Sequence, residues 1–132
     1  MRALVVGGTG PTGVHIVNFL IQGGCEVTVF NSGKHDSGVE FASDVERVYG
    51  NPRDEESVSQ SIGAREWDVA ICTYGKLTML ANQLAGKTKR LVGITGQPVY
   101  KGAARRTPDG GLSLPVREFA PRQYDAANYT GR

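Results

Sequence analysis

Val5-Val6-Gly7-Gly8-Thr9-Gly10-Pro11-Thr12-Gly13 is the stretch that decides how this chain is read. An apolar run, Ala3 to Val6, leads directly into four glycines within seven residues. Val14, Val17, Leu20 and Ile21 follow at the spacing of one buried helix face. The pattern is strand, tight turn, helix. Such a turn aims backbone N–H groups and the positive end of a helix dipole at one point, which suits a phosphate. Glycine is needed where a Cβ would block the approach of a pyrophosphate or of a neighbouring strand. Gly8, Gly10 and Gly13 give G-x-G-x-x-G, and Gly7, Gly10 and Gly13 give G-x-x-G-x-x-G. A P-loop is the competing reading. It requires Lys-Ser/Thr where this chain has Val14-His15, so a nucleoside triphosphate site is disfavoured.

Outward from the turn, the helix is expected to stop at Gly23-Gly24. Cys25 to Phe30 is a second strand rich in β-branched residues, closing a β-α-β unit of about 30 residues. Val45 to Tyr49 is a third strand. Between the two, only a short or irregular helix fits, around Val39 to Ser43. After the turn Gly50-Asn51-Pro52-Arg53, Asp54 is placed to cap a helix that opens with Glu55 and Glu56 and buries Val58 and Ile62. Trp67 to Cys72 is a fourth strand, Leu77 to Ala85 a helix ending at Gly86, and Lys89 to Thr95 a fifth strand. Alternating strands and helices imply an α/β fold: a Rossmann-like, doubly wound parallel sheet of five strands in the order 3-2-1-4-5. Beyond Thr95 the periodicity fails. A dinucleotide-binding domain over 1–102 and an irregular, mildly basic tail over 103–132 are expected.

The 132 residues suffice for one domain with a real core, and 39% apolar with 21% charged residues describe a globular chain rather than a disordered one. The net charge of +2 is too small to point to nucleic acid. It is uneven: residues 1–100 have 9 basic and 10 acidic side chains, and residues 101–132 have 6 and 3. No apolar run approaches the ~20 residues of a membrane span, and glycines interrupt the N-terminal apolar segment, so neither a membrane partner nor a signal peptide is expected. The cytoplasm is the default location. Cys25 and Cys72 both lie in strand-like runs and read as buried free thiols. No metal site is assigned.

With Gly7 to Gly13 set before a β-α-β unit, the chain resembles the extended and atypical short-chain dehydrogenase/reductase superfamily over about residues 1–102, and within it the NAD-dependent epimerase/dehydratase branch. Gly50-Asn51-Pro52-Arg53-Asp54 is similar to that family's acidic turn after the third strand, where the resemblance gives Asn51 a contact with adenine. Thr95-Gly96-Gln97-Pro98-Val99-Tyr100 resembles the segment after strand five, which makes Thr95 and Tyr100 the candidate catalytic residues. The likeness is imperfect there. The hydroxyl residue of the family pattern stands three before Val99, where this chain has Gly96, with Thr95 one place early. The family's proton donor is a tyrosine with a lysine four residues later. Here Tyr100 is followed by Ala104 and Tyr124 by Asn128, and Tyr129 lies too near the last residue to have such a partner. A lysine cation lowers the phenol's pKa towards neutrality; without it a tyrosine stays near ~10 and is a poor base. The resemblance also implies chains about twice as long, whose C-terminal part builds the substrate pocket.

Two functions follow as expectations. One is a dinucleotide-binding module without independent catalysis: a fragment, a sensor or a part of an assembly. The other is an active oxidoreductase or epimerase acting on a sugar nucleotide or small carbonyl compound, its site completed by Thr95 with Tyr100, by self-association or by a partner subunit. The cofactor group is Gly7, Gly10, Pro11, Thr12 and Gly13 at the turn, Asn31, Ser32 and Lys34 after strand two, Asn51 after strand three and Thr73 after strand four. An NAD site normally places Asp or Glu at the end of strand two. Phe30-Asn31-Ser32-Gly33-Lys34 has no carboxylate, and the next, Asp36, is far round the loop. Asn31 and Ser32 can donate to a 2′-phosphate, Lys34 adds a charge and His35 is a weaker helper, so NADP is expected with NAD as the alternative.

Overall fold

The computed structural model describes residues 1–34, 38, 40–42 and 45–94. Contacts divide the chain into two units, Met1–Ile94 and Thr95–Arg132. The first contains β1 (Arg2–Val6), α1 (Pro11–Gln22), β2 (Glu26–Asn31), β3 (Glu46–Tyr49), α2 (Glu55–Ile62), β4 (Trp67–Cys72), α3 (Leu77–Leu84) and β5 (Thr88–Gly93). All four strand pairings are parallel and the order is β3-β2-β1-β4-β5, as the strand–helix alternation predicts.

The central strand shows why. Ala3, Leu4, Val5 and Val6 are all buried, because a parallel strand in mid-sheet is covered on both faces and needs apolar residues at every position. Ala3 and Val5 face α1 with Val17, Val27, Val29 and Val69. Leu4 and Val6 face α2 and α3 with Phe30, Val58, Ile62, Leu80 and Leu84. Asp54 caps α2 as expected, its carboxylate accepting from the Ser57 N–H at 2.8 Å.

The segment between β2 and β3 departs from the expected helix: none of its described residues is helical, and residues 39, 43 and 44 lie outside the described set. Phe41 packs with the α1-side core instead. The Ala42 N–H donates to Asn18 Oδ1 on α1 at 2.8 Å, and the Arg47 guanidinium lies 4.9 Å above the Phe41 ring. One aromatic side chain thus does the covering expected of a helix turn. Two smaller corrections concern the cysteines. Cys25 precedes β2 rather than lying in it and is only half-buried, while Cys72 is buried as expected, its thiol pushed up to about 11 by burial. The fifth strand is also shorter than its sequence pattern suggests, since β5 ends at Gly93.

At the opposite end of the sheet from the glycine turn, Glu46 accepts from Thr28 Oγ1 at 2.9 Å and from the Arg65 guanidinium. These hydrogen bonds, the Arg65 one first, hold the Glu46 carboxyl below its ordinary 4.5. A carboxyl whose folded pKa is depressed stabilises the fold above its unfolded pKa and ceases to do so as pH falls through the folded one. Because the carboxylate is half-exposed, solvent screening keeps the contribution to no more than about 1 kcal/mol. Glu46→Gln should therefore lower the urea midpoint slightly at neutral pH, and the gap to wild type should close as pH falls below the ordinary glutamate value of 4.5 and through the lowered folded one. A gap that persists unchanged at the acid end would remove Glu46 from the account.

Candidate functional site

The C-terminal ends of β1, β2, β3 and β4 surround a cavity of about 530 Å³, within the range of small-molecule sites. It lies where such folds bind ligands, outside the carboxyl ends of the strands and beside the point where the strand order reverses.

The turn after β1 forms its floor. Gly7 has φ +105° and Gly8 φ +66°, so both need glycine. The Gly7 N–H donates to Phe30 O at 2.9 Å, tying the turn to β2. Thr73, at the end of β4, donates its hydroxyl to Val6 O at 3.0 Å and accepts the Gly8 N–H at 3.4 Å, tying it to β4. The remaining two glycines differ in kind. A Cβ on Gly13 would meet the Gly8 backbone at 2.7 Å, which is how closely α1 is set against the turn. A Cβ on Gly10 would meet nothing within 4 Å. Gly10 lines the cavity and is the N-cap of α1, with no side chain capping that helix end and Pro11 first in the helix. The first N–H groups of a helix have no partner within it, so the Thr12 and Gly13 amides at this end can serve an anion.

The flank after β2 is made of donors. Asn31 Oδ1 accepts the Gly33 N–H at 2.8 Å, and Ser32 Oγ accepts the Lys34 N–H at 3.4 Å. Each oxygen is committed to a local turn, which leaves the amide NH₂ of Asn31 and the hydroxyl proton of Ser32 to donate. Lys34 also lines the cavity, and no carboxylate among the described residues does. The far wall is Gly50, Asn51 and Pro52 after β3, with Tyr74 after β4 opposite Arg53, whose guanidinium lies 5.8 Å from the Tyr74 ring.

Gly7, Gly10, Asn31, Ser32, Lys34, Asn51 and Thr73 are thus brought to one cavity. Pro11 and Thr12 line a different feature, an apolar groove shared by α1 and β4 with Phe19 and Ile71, while Gly13 is buried behind the turn. Thr95, Tyr100, His35 and Asp36 lie outside the described residues. Sequence reading misses Thr9, Gly33, Gly50, Pro52 and Tyr74 as lining residues. Gly33 and Gly50 flank Ser32, Lys34 and Asn51, so strand-end position could have found them. Nothing in the sequence around Tyr74 marks it.

The sequence pattern of the NAD dependent epimerase/dehydratase family matches residues 3–92. The chain belongs to that family. No curated protein matches it in sequence. Many solved structures are similar in fold to this epimerase/dehydratase-family chain, the following three among them. The enzyme WbmG of Bordetella bronchiseptica, solved with NAD and UDP, is 14% identical with a TM-score of 0.65, over 93% of this chain and 44% of that one. An epimerase from Methanothermobacter thermautotrophicus is 15% identical with a TM-score of 0.62, over 86% and 41%. The UDP-glucose 4-epimerase of Thermus thermophilus, solved with NAD, is 21% identical with a TM-score of 0.60, over 93% and 44%. The family member described here spans less than half the length of each. Among its described residues no helix is long and apolar enough to cross a membrane.

Proposed function

We propose that the cavity binds a nicotinamide dinucleotide, NADP(H) in preference to NAD(H), and that the chain acts as a dinucleotide-binding module without completing a reaction centre of its own. The observation that carries this reading is the open space in front of Gly10 at the uncapped N-terminus of α1. A pyrophosphate there would accept from the Thr12 and Gly13 amides and sit at the positive end of the helix. The neighbouring ribose would then lie against Asn31, Ser32 and Lys34. Those residues offer donors and a cation and no carboxylate, which favours a 2′-phosphate over a 2′-hydroxyl. The dinucleotide, when bound, supplies hydride chemistry. The chain's own residues bind and orient it. No tyrosine in these 132 residues has a lysine four positions on, the spacing at which the family pattern supplies a cation to ready the phenol for proton transfer. Family membership favours the second reading, an oxidoreductase or epimerase acting on a sugar nucleotide or small carbonyl compound.

One preparation tests both. Calorimetry should give tighter binding of NADPH than of NADH, and Lys34→Ala should weaken NADPH about tenfold while leaving NADH nearly unchanged, as one charge-assisted contact is worth ~1.5 kcal/mol. Equal affinities in wild type would return the site to NAD. Sustained turnover of a sugar nucleotide by the same protein would replace the module reading with the enzymatic one.

A further inference from the structure

The hydroxyl of Thr73, directly after β4, stands between two groups of opposite kind. The Val6 carbonyl can only accept and lies 3.0 Å away, and the Gly8 N–H can only donate and lies 3.4 Å away. The hydroxyl proton is therefore on the Val6 side, and Gly8 is met by a lone pair. Val6 O also accepts the Thr73 N–H at 2.9 Å, so the backbone and side chain of one residue close on the same carbonyl. The fit to the turn is tight as well: a Cβ on Gly7 would stand 2.2 Å from Thr73 Oγ1. Gly8 in turn is what the start of α1 rests on, since a Cβ on Gly13 would lie 2.7 Å from the Gly8 Cα and carbonyl carbon. Thr73, Gly8 and Gly13 thus link the end of β4 to the helix end beside the cavity.

We infer that Thr73 is a positioning residue for the anion site: its hydroxyl holds Gly8, and through Gly8 the Thr12 and Gly13 amides, where a pyrophosphate needs them. The inference rests on the dinucleotide reading above. A glycine takes positive and negative φ about equally readily, so Gly7 at +105° and Gly8 at +66° do not hold themselves in place. The Gly7 N–H is tied to β2 through Phe30 O, and Thr73 supplies the matching tie to β4. The hydroxyl is not itself a phosphate ligand. A pyrophosphate offers acceptors, and the one proton Thr73 could give it is already held by Val6. Without the hydroxyl the turn is free to sample other conformations. Ordering it then becomes part of the binding step, which weakens affinity.

Thr73→Val keeps the shape of the side chain and removes the hydroxyl, whereas Thr73→Ser keeps the hydroxyl. Calorimetry well below each protein's melting midpoint should show NADPH bound about tenfold more weakly by Thr73→Val and within about twofold of wild type by Thr73→Ser. Inorganic pyrophosphate, followed through the Thr12 and Gly13 amide resonances, should weaken by the same factor in Thr73→Val, because it engages the helix end alone. A role in stability only would lower the midpoint of Thr73→Val and leave both affinities of the folded protein unchanged, which overturns the inference. A Thr73→Val protein that does not fold overturns it as well, since the hydroxyl would then hold the fold rather than the turn. So does Thr73→Ser binding as weakly as Thr73→Val. Pyrophosphate binding undiminished while NADPH binding falls would make Thr73 a direct contact of the dinucleotide and also sink it. Each of these leaves dinucleotide binding by the wild type standing. If wild type binds neither ligand, this inference falls together with the reading beneath it.

Discussion

Gly10→Val should abolish dinucleotide binding and leave the protein folded. The backbone at Gly10 has φ −81° and ψ 172°, an extended conformation that valine adopts without strain. Apart from its chain neighbours Thr9 and Pro11, no atom of the described residues lies within 4 Å of the position its Cβ would take. Nothing in the fold resists the substitution; what the side chain would fill is the space a pyrophosphate needs to reach the Thr12 and Gly13 amides. Losing two or more charge-assisted contacts at ~1.5–3 kcal/mol each weakens binding by a hundredfold or more. The thermal midpoint of the free protein should move by no more than about 2 °C. Calorimetry with NADPH and a melting curve are the two readouts. Wild-type affinity in the variant would place the pyrophosphate elsewhere. A collapsed midpoint would mean that this glycine serves packing after all.

Gly13→Val should do the reverse, acting on stability first. Its Cβ would stand 2.7 Å from the Cα and carbonyl carbon of Gly8 and 2.9 Å from the Gly8 oxygen. Those are backbone atoms, and they cannot rotate away as a side chain would. Replacing a glycine inside a helix normally gains up to several tenths of a kcal/mol in helix propensity, and Gly13, in the first turn of α1, gains no more than that. Overpacking against rigid neighbours costs about 1–3 kcal/mol or more, and here the strained turn must also move. The cost wins, by ~3 kcal/mol, which for a chain of this size is about 10 °C in the melting midpoint. A variant as stable as wild type would show that α1 can withdraw from the turn.

The contrast between these two glycines bears on what could be read in advance. G-x-x-G-x-x-G places both in one motif, and spacing alone cannot say which faces ligand and which faces backbone. That division depends on how α1 packs against the turn. The strand order was legible because Ala3–Val6 is apolar at every position, as a strand covered on both faces must be, and because Asp54 and Gly23 bound their helices. The stretch after Asn31 was not. It covers the core with Phe41 held by Arg47 and Asn18, a tertiary arrangement without a period. The site shows the same limit. Asn31, Ser32, Lys34 and Asn51 could be picked out because each lies at or just past a strand end. Tyr74 also follows a strand end, two residues past β4, but an aromatic ring there has no phosphate- or ribose-binding chemistry to single it out. That Asn31 Oδ1, Ser32 Oγ and Asn51 Oδ1 each accept a neighbouring N–H is likewise a property of turn geometry, invisible in residue types.

The cavity draws its walls from the ends of β1 to β4 and takes none from β5. β1 is covered on both faces, with a neighbour on each side, whereas β5 ends the sheet among the described residues and leaves Leu91 and Val92 exposed. Local opening should be rarest in β1 and commonest in β5, since few buried contacts oppose it there. A ligand that binds only the closed site adds its binding free energy to the strands that form the site and to no others. Occupancy would thus stiffen four strands and leave the fifth to fray at its own rate, dividing one continuous sheet into a part whose motion reports the ligand and a part that is indifferent to it.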